Sequence, residues 1–198
     1  MEWTGGLKPS TKAASSPRDL VIFFSGAVGF ALLIALAARM SLAIPGTPVP
    51  ATMQTLAVLL AGALLGPRGG VASVGAYLGA GLAGAPVFAT GGGAVCLLGP
   101  TGGYLLGFLP AAWIAGLVAR KHLRLRALFP GLLLATLVIH LSGWAHLSAL
   151  SGAAPAVSLG VVPFLAFDAL KALAAALVVR RFGRGVTPGK DPFDEAIR

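Results

Sequence analysis

Charge is what this chain lacks. No Asp, Glu, Lys or Arg occurs between Arg68 and Arg120, or between Arg126 and Asp168, and charged residues are 11% of the 198. An ordinary soluble domain carries about 25%. With 57% hydrophobic residues and a mean hydropathy of +0.88, the chain reads as an integral membrane protein. Cysteine is almost missing too. Cys96 stands alone, so no intramolecular disulfide or cysteine metal cluster can form, and it reads as a small apolar side chain in a packed segment. No Gly-Lys is followed by Ser or Thr, which excludes a Walker phosphate loop and makes ATP hydrolysis by this polypeptide unexpected. Nothing calls for a cofactor or a metal. His140 and His146, six residues apart on one span, fall about 240° apart around a helix and cannot form a metal site by themselves.

Acidic residues number six against fifteen Lys and Arg, a formal net charge of +9. The excess does not point to nucleic acid, because the cations gather at the ends of apolar runs: Arg120, Lys121, Arg124 and Arg126, then Arg180, Arg181 and Arg184. Membrane topology explains that placement.

A span needs roughly 20 apolar residues. The run 20–38 ends in Ala35-Leu36-Ala37, which mimics a signal-peptidase site, but at about 19 residues it exceeds a signal core of 7–15 and reads as a retained first helix. Runs 51–65 and 71–85 are shorter, with the turn Gly66-Pro67-Arg68-Gly69-Gly70 making a helical hairpin of them. Runs 101–119, 127–150 and 162–179 complete six, an all-α polytopic bundle. The expected organisation is a cytoplasmic segment 1–19, a transmembrane domain 20–182 and a polar, disordered tail 183–198. With the N-terminus inside, the inner segments collect nearly every Lys and Arg and the outer ones hold only Arg39, so both termini are expected in the cytoplasm. The outer loops are then 41–50, 86–100 and 151–161, the middle one carrying Gly91-Gly92-Gly93.

Two charges interrupt the last apolar run. Asp168 and Lys171, about two turns past Pro163 and in the outer half of the membrane, share a helix face at i, i+3. Each costs roughly 2.5–3.5 kcal/mol to insert mid-helix, which makes such a pair a functional-site hypothesis by default. Ala172, Ala175 and Val179 continue their face, small enough for close packing, so the pair points into the bundle. The alternative is an ion pair that only fixes helix rotation. Glycines 91–93 and 102–103 suit a backbone that approaches a ligand or turns sharply. His140 and Trp144, at i, i+4, read as packing or hydrogen-bonding residues near an interface. On the first helix Ala27, Ala31 and Ala35 form a stripe that admits another helix, from this bundle or a partner.

Three motifs, in order, carry a resemblance: Thr47-Pro48-Val49-Pro50-Ala51-Thr52-Met53-Gln54-Thr55, Leu98-Gly99-Pro100-Thr101-Gly102-Gly103-Tyr104-Leu105, and Pro163-Phe164 followed by Asp168 and Lys171. Over about 20–179 the chain resembles the BioY family, the biotin-specific substrate-binding (S) components of energy-coupling-factor (ECF) transporters. The resemblance implies a six-helix S-component fold in the bacterial cytoplasmic membrane, with biotin held near the outer surface. It places Asp168 and Lys171 in the biotin site and implies a transmembrane coupling (T) subunit and ATP-binding-cassette ATPases as partners. It also assigns Ala27, Ala31 and Ala35 to T-subunit docking. Tyr104 offers an aromatic wall with a hydroxyl, Gln54 and Thr101 further hydrogen bonds, and the backbone at Gly92 a close approach. The loop 89–98 departs from the expected pattern, offering only Thr90 and backbone as polar groups. The residues alone say a small-solute receptor or carrier. The rival is a self-sufficient, proton-coupled carrier using the same pair; an enzyme finds no His-containing dyad, metal cluster or phosphate motif to support it.

Overall fold

The computed structural model describes residues 17–183. The terminal segments 1–16 and 184–198, including nearly all of the expected tail, lie outside the described residues. The helices are α1 (Pro17–Arg39), α2 (Gln54–Leu82), α3 (Ala94–Leu98), α4 (Gly102–Lys121), α5 (Leu125–Ser151), α6 (Ala153–Gly160) and α7 (Leu165–Phe182). A 3₁₀ turn, Val162–Phe164, joins the last two, and strands β1 (Ser41–Leu42) and β2 (Ala51–Thr52) pair antiparallel across the loop before α2.

Five helical runs among the described residues are long and apolar enough to cross a membrane. The second is folded in two. At Gly66 the backbone takes φ 81°, ψ 174°, and Pro67 opens the next turn with a φ suited to a helix start. In a straight helix residues 62 and 70 would stand about 12 Å apart, yet here a Cβ on Gly70 would meet the backbone of Gly62. Arms 54–65 and 67–82 are therefore the expected hairpin, roughly 18 and 24 Å long, and bring the bundle to six principal helices.

In lipid, apolar side chains gain little by leaving their surroundings, so helices associate through close packing of small residues. The core shows this. Ala61, Ala111, Ala112 and Ala115 are fully buried where α2 meets α4, and Gly62 and Gly116 lack the Cβ atoms that would strike Ala112 and Pro67. The opposite surface is large and apolar: Val21, Ile22, Phe24, Leu32 and Leu36 of α1 are all exposed. In water such a face would drive aggregation; in a bilayer it is the lipid contact.

Two expectations change here. The outer segment 151–161 is not a loop but mostly helix α6, a short Ala-rich run that Gly152, at φ 85°, sets off from α5. Regular α-helix resumes only at Leu165 after the 3₁₀ turn, which puts Asp168 in the first turn of α7 rather than two turns in. The small-residue stripe of α1 faces α2 in the bundle. Ala27 is 5% exposed, and Ala31 and Ala35 are half-buried against the core, because small residues let α1 close onto α2. Ala27→Trp should therefore act as core overpacking, costing about 1–3 kcal/mol. It should lower the melting temperature and monodispersity of the detergent-solubilised protein, while Leu32→Trp on the lipid face changes neither.

Candidate functional site

The first turns of α2, α4 and α7 and the second half of α5 surround an open cavity of about 570 Å³. It lies at the end of the bundle away from the α2 fold-back and the α4–α5 link, where Arg68 and the 120–126 cations sit. Three helix N-termini at one cavity give it a partial positive character. The first turns of α2 and α4 carry no acid to offset it.

Asp168 is the centre of the polar wall. Its Oδ1 accepts from Lys171 Nζ at 2.6 Å, and Lys171 also donates to the Thr52 carbonyl at 2.7 Å. Its Oδ2 stands 3.1 Å from His140 Nε2 on α5. The i, i+3 spacing on α7 supplies the first contact. The other two depend on β2 and α5 arriving at the same place. Asp168 is 5% exposed and His140 3%, so each relies on the other's presence in a dry wall.

A second network borders it. Thr52 Oγ1 donates to Gln54 Oε1 at 3.1 Å, and Gln54 Nε2 donates to the Tyr77 hydroxyl at 2.5 Å. This fixes the Gln54 amide at the mouth of α2 and uses both its oxygen and its nitrogen. Tyr77 stacks edge-on against Phe88, centroids 5.4 Å apart, and Phe88 occupies the space left by Gly81. Phe88 reaches the cavity from the strap 83–93, which turns at Gly84, Gly91 and Gly93 with positive φ. Arg39 holds the strap by donating to the Pro86 carbonyl. Tyr104 closes the remaining side: its hydroxyl donates to the Gly160 carbonyl at 2.6 Å, and Gly143 and Gly160 leave room for the ring. Thr101, at the start of α4, bonds the Cys96 carbonyl at 3.4 Å.

Five expected residues thus line one cavity: Asp168, Lys171, Tyr104, Thr101 and Gln54. Gly92 does not. It lies in the strap with its Cα against the Ala85 carbonyl, and its own carbonyl faces Cys96 Sγ at 3.6 Å. His140, Thr52, Phe88 and Phe164 line the cavity without having been singled out as site residues. His140 carried a signal, a polar group on a nearly apolar span. Its pairing was assigned to Trp144, whose indole instead points to the Ala153 carbonyl at 3.4 Å. The His-containing pair that spacing could not reveal is His140 with Asp168, across two helices. Among the described residues no group of His, Cys, Asp and Glu is placed to hold a metal.

The family model for BioY matches residues 11–187. A probable biotin transporter BioY of Pyrococcus horikoshii is 42% identical over 153 residues, covering 77% of this chain and 90% of that one. The biotin transporter BioY of Thermotoga maritima is 39% identical over 159 residues with the same coverage. In three dimensions the fold matches the crystal structure of an S-component for biotin from an ECF-type ABC transporter, with a TM-score of 0.78, 27% identity, and 86% of this chain and 95% of that chain covered. Matches that run through every span, and through relatives almost end to end, leave one conclusion: this chain is a member of the BioY family.

Proposed function

We propose that this protein captures biotin from the outer side of a bacterial cytoplasmic membrane and serves as the S component of an ECF transporter, binding without turnover. The observation that carries the reading is the ion pair of buried Asp168 and half-buried Lys171 at the wall of a cavity at one end of the bundle. Biotin presents a ureido ring with two N–H donors and a carbonyl, a thioether ring, and a chain ending in carboxylate. A carboxylate, an ammonium, a fixed amide and aromatic walls from Tyr104, Phe88 and Phe164 suit those groups. The chain has no nucleotide motif, so concentrative uptake needs an external ATPase and a T subunit to couple it, as the ECF assembly supplies.

The domain is taken as 20–182, with segment 1–19 and the tail 183–198 in the cytoplasm. Among the described residues, the cavity end carries Arg39 and the Lys171 that pairs with Asp168, while Arg68, the 120–126 cations, Arg180 and Arg181 lie toward the other end, which supports an outward-facing cavity.

Calorimetry on the purified protein should show saturable biotin binding and none for thiamine or riboflavin; a folded protein that ignores biotin overturns the reading. Asp168→Asn and Lys171→Met should each weaken biotin at least tenfold, about 1.4 kcal/mol, with the melting profile largely retained. Wild-type affinity in both would make the pair purely structural. For orientation, a membrane-impermeant maleimide on intact cells should label Ser41→Cys and not His122→Cys, both exposed positions, in a Cys96→Ala background. The reverse pattern would place the cavity inside.

A further inference from the structure

The formal charges of the polar wall cancel when its imidazole is neutral. Among the described residues lining the cavity the titratable groups are Tyr104, His140, Asp168 and Lys171. With Asp168 ionised, Lys171 protonated and His140 neutral, the sum is zero. Biotin at neutral pH carries one negative charge. A monoanion entering this cavity leaves an uncompensated charge in a low-dielectric bundle, where isolated charges are strongly disfavoured.

His140 is placed to remove that imbalance. Imidazole is the side chain that changes charge around neutral pH. Here Nε2 stands 3.1 Å from Asp168 Oδ2, within ion-pair distance, yet neither ring nitrogen makes a well-directed hydrogen bond. An imidazolium there would pair with Asp168 and leave the Lys171 charge to be met by a second anion. The other neighbours offer no substitute. From α4, Tyr104 faces the ring edge-on at 6.5 Å with its hydroxyl committed to Gly160. From α2, the Gln54 amide is engaged by Thr52 and Tyr77. On the side away from the cavity, the groove of α5 and α7 that His140 also touches is lined by Pro130, Leu133, Leu134, Leu137, Leu165 and Ala169, with Thr136 bonded back to the Leu132 carbonyl. His146 is held by the Gly99 carbonyl at 3.0 Å, and Arg39 by Pro86.

We infer that capture of the anionic ligand is coupled to proton uptake by His140: a proton from solvent enters the imidazole as the ligand carboxylate enters the cavity, and leaves with it. This rests on the reading of the site as a biotin site. It assigns His140 as a positioning and charge-balancing residue that acts through Asp168.

The test is titration calorimetry of the purified protein at about pH 7.5, in two buffers of different ionisation enthalpy, with biotin and with the uncharged biotin carboxamide. Biotin should bind with uptake of roughly one proton and the carboxamide with none. Biotin affinity should fall by up to about tenfold per unit of rising pH, the slope of one coupled proton. In His140→Gln the proton uptake and the pH slope for biotin should vanish, whatever the change in absolute affinity for either ligand. Equal proton uptake for both ligands, or none for biotin, overturns the inference. So does full uptake retained in His140→Gln, which would put the proton on Asp168. Should that variant fail to fold, the difference between the two ligands on the wild-type protein decides alone. A protein that gives no binding heat with either ligand fails at the biotin reading itself, and is told apart by that silence.

Discussion

A carboxylate buried in an apolar bundle must find its partners on other elements, and that requirement organises the ligand end of this protein. Asp168 is met by Lys171 from its own helix and by His140 from α5, and Lys171 in turn binds the Thr52 carbonyl. Through Asp168 and Lys171, α7 is tied to α5 and to the strand before α2. Removing any one contact leaves a charge or a dipole stranded in a medium that cannot solvate it. The short β1–β2 pairing follows from the same need, since it holds Thr52 where the ammonium can reach its carbonyl.

The bundle is tight at one end and open at the other, for a reason visible in side-chain size. Toward the fold-back at Gly66, backbone meets backbone: Gly62 on Ala112, Gly70 on Gly62, Gly116 on Pro67. Toward the cavity rings join the backbone contacts, with Tyr104 seated against Gly143 and Gly160, and Phe88 against Gly81 and Tyr77. Glycine brings helices together along the bundle and, toward the cavity, also makes sockets for aromatic rings.

The roof is built on the same economy of polar groups. The strap that carries Phe88 has few polar side chains of its own, so Arg39 from the end of α1 holds it by a backbone carbonyl. The strap reverses through glycines whose positive φ values other residues adopt at a cost. Just before the 89–98 loop, Phe88 sets an aromatic ring against the cavity.

Apolar spans, six helical segments and the pairing of Asp168 with Lys171 inside the bundle were all legible in the sequence. Apolar runs, the Gly66-Pro67 break and two isolated charges are local patterns, and the cost of charge in lipid gives them meaning without coordinates. The motifs also led to Tyr104, Thr101 and Gln54, because each offers a hydrogen-bonding side chain near a helix start. Three features required the tertiary structure. His140 meets Asp168 from 28 positions away in sequence, so no spacing rule on one helix could have joined them. Gly92 faces the Ala85 backbone rather than the cavity, because the strap's turns decide which glycine approaches what. Ala27, Ala31 and Ala35 show by their period that some helix comes close, but only the packed bundle shows that helix to be α2. Periodicity fixes a face; what covers that face is settled by how every other helix packs.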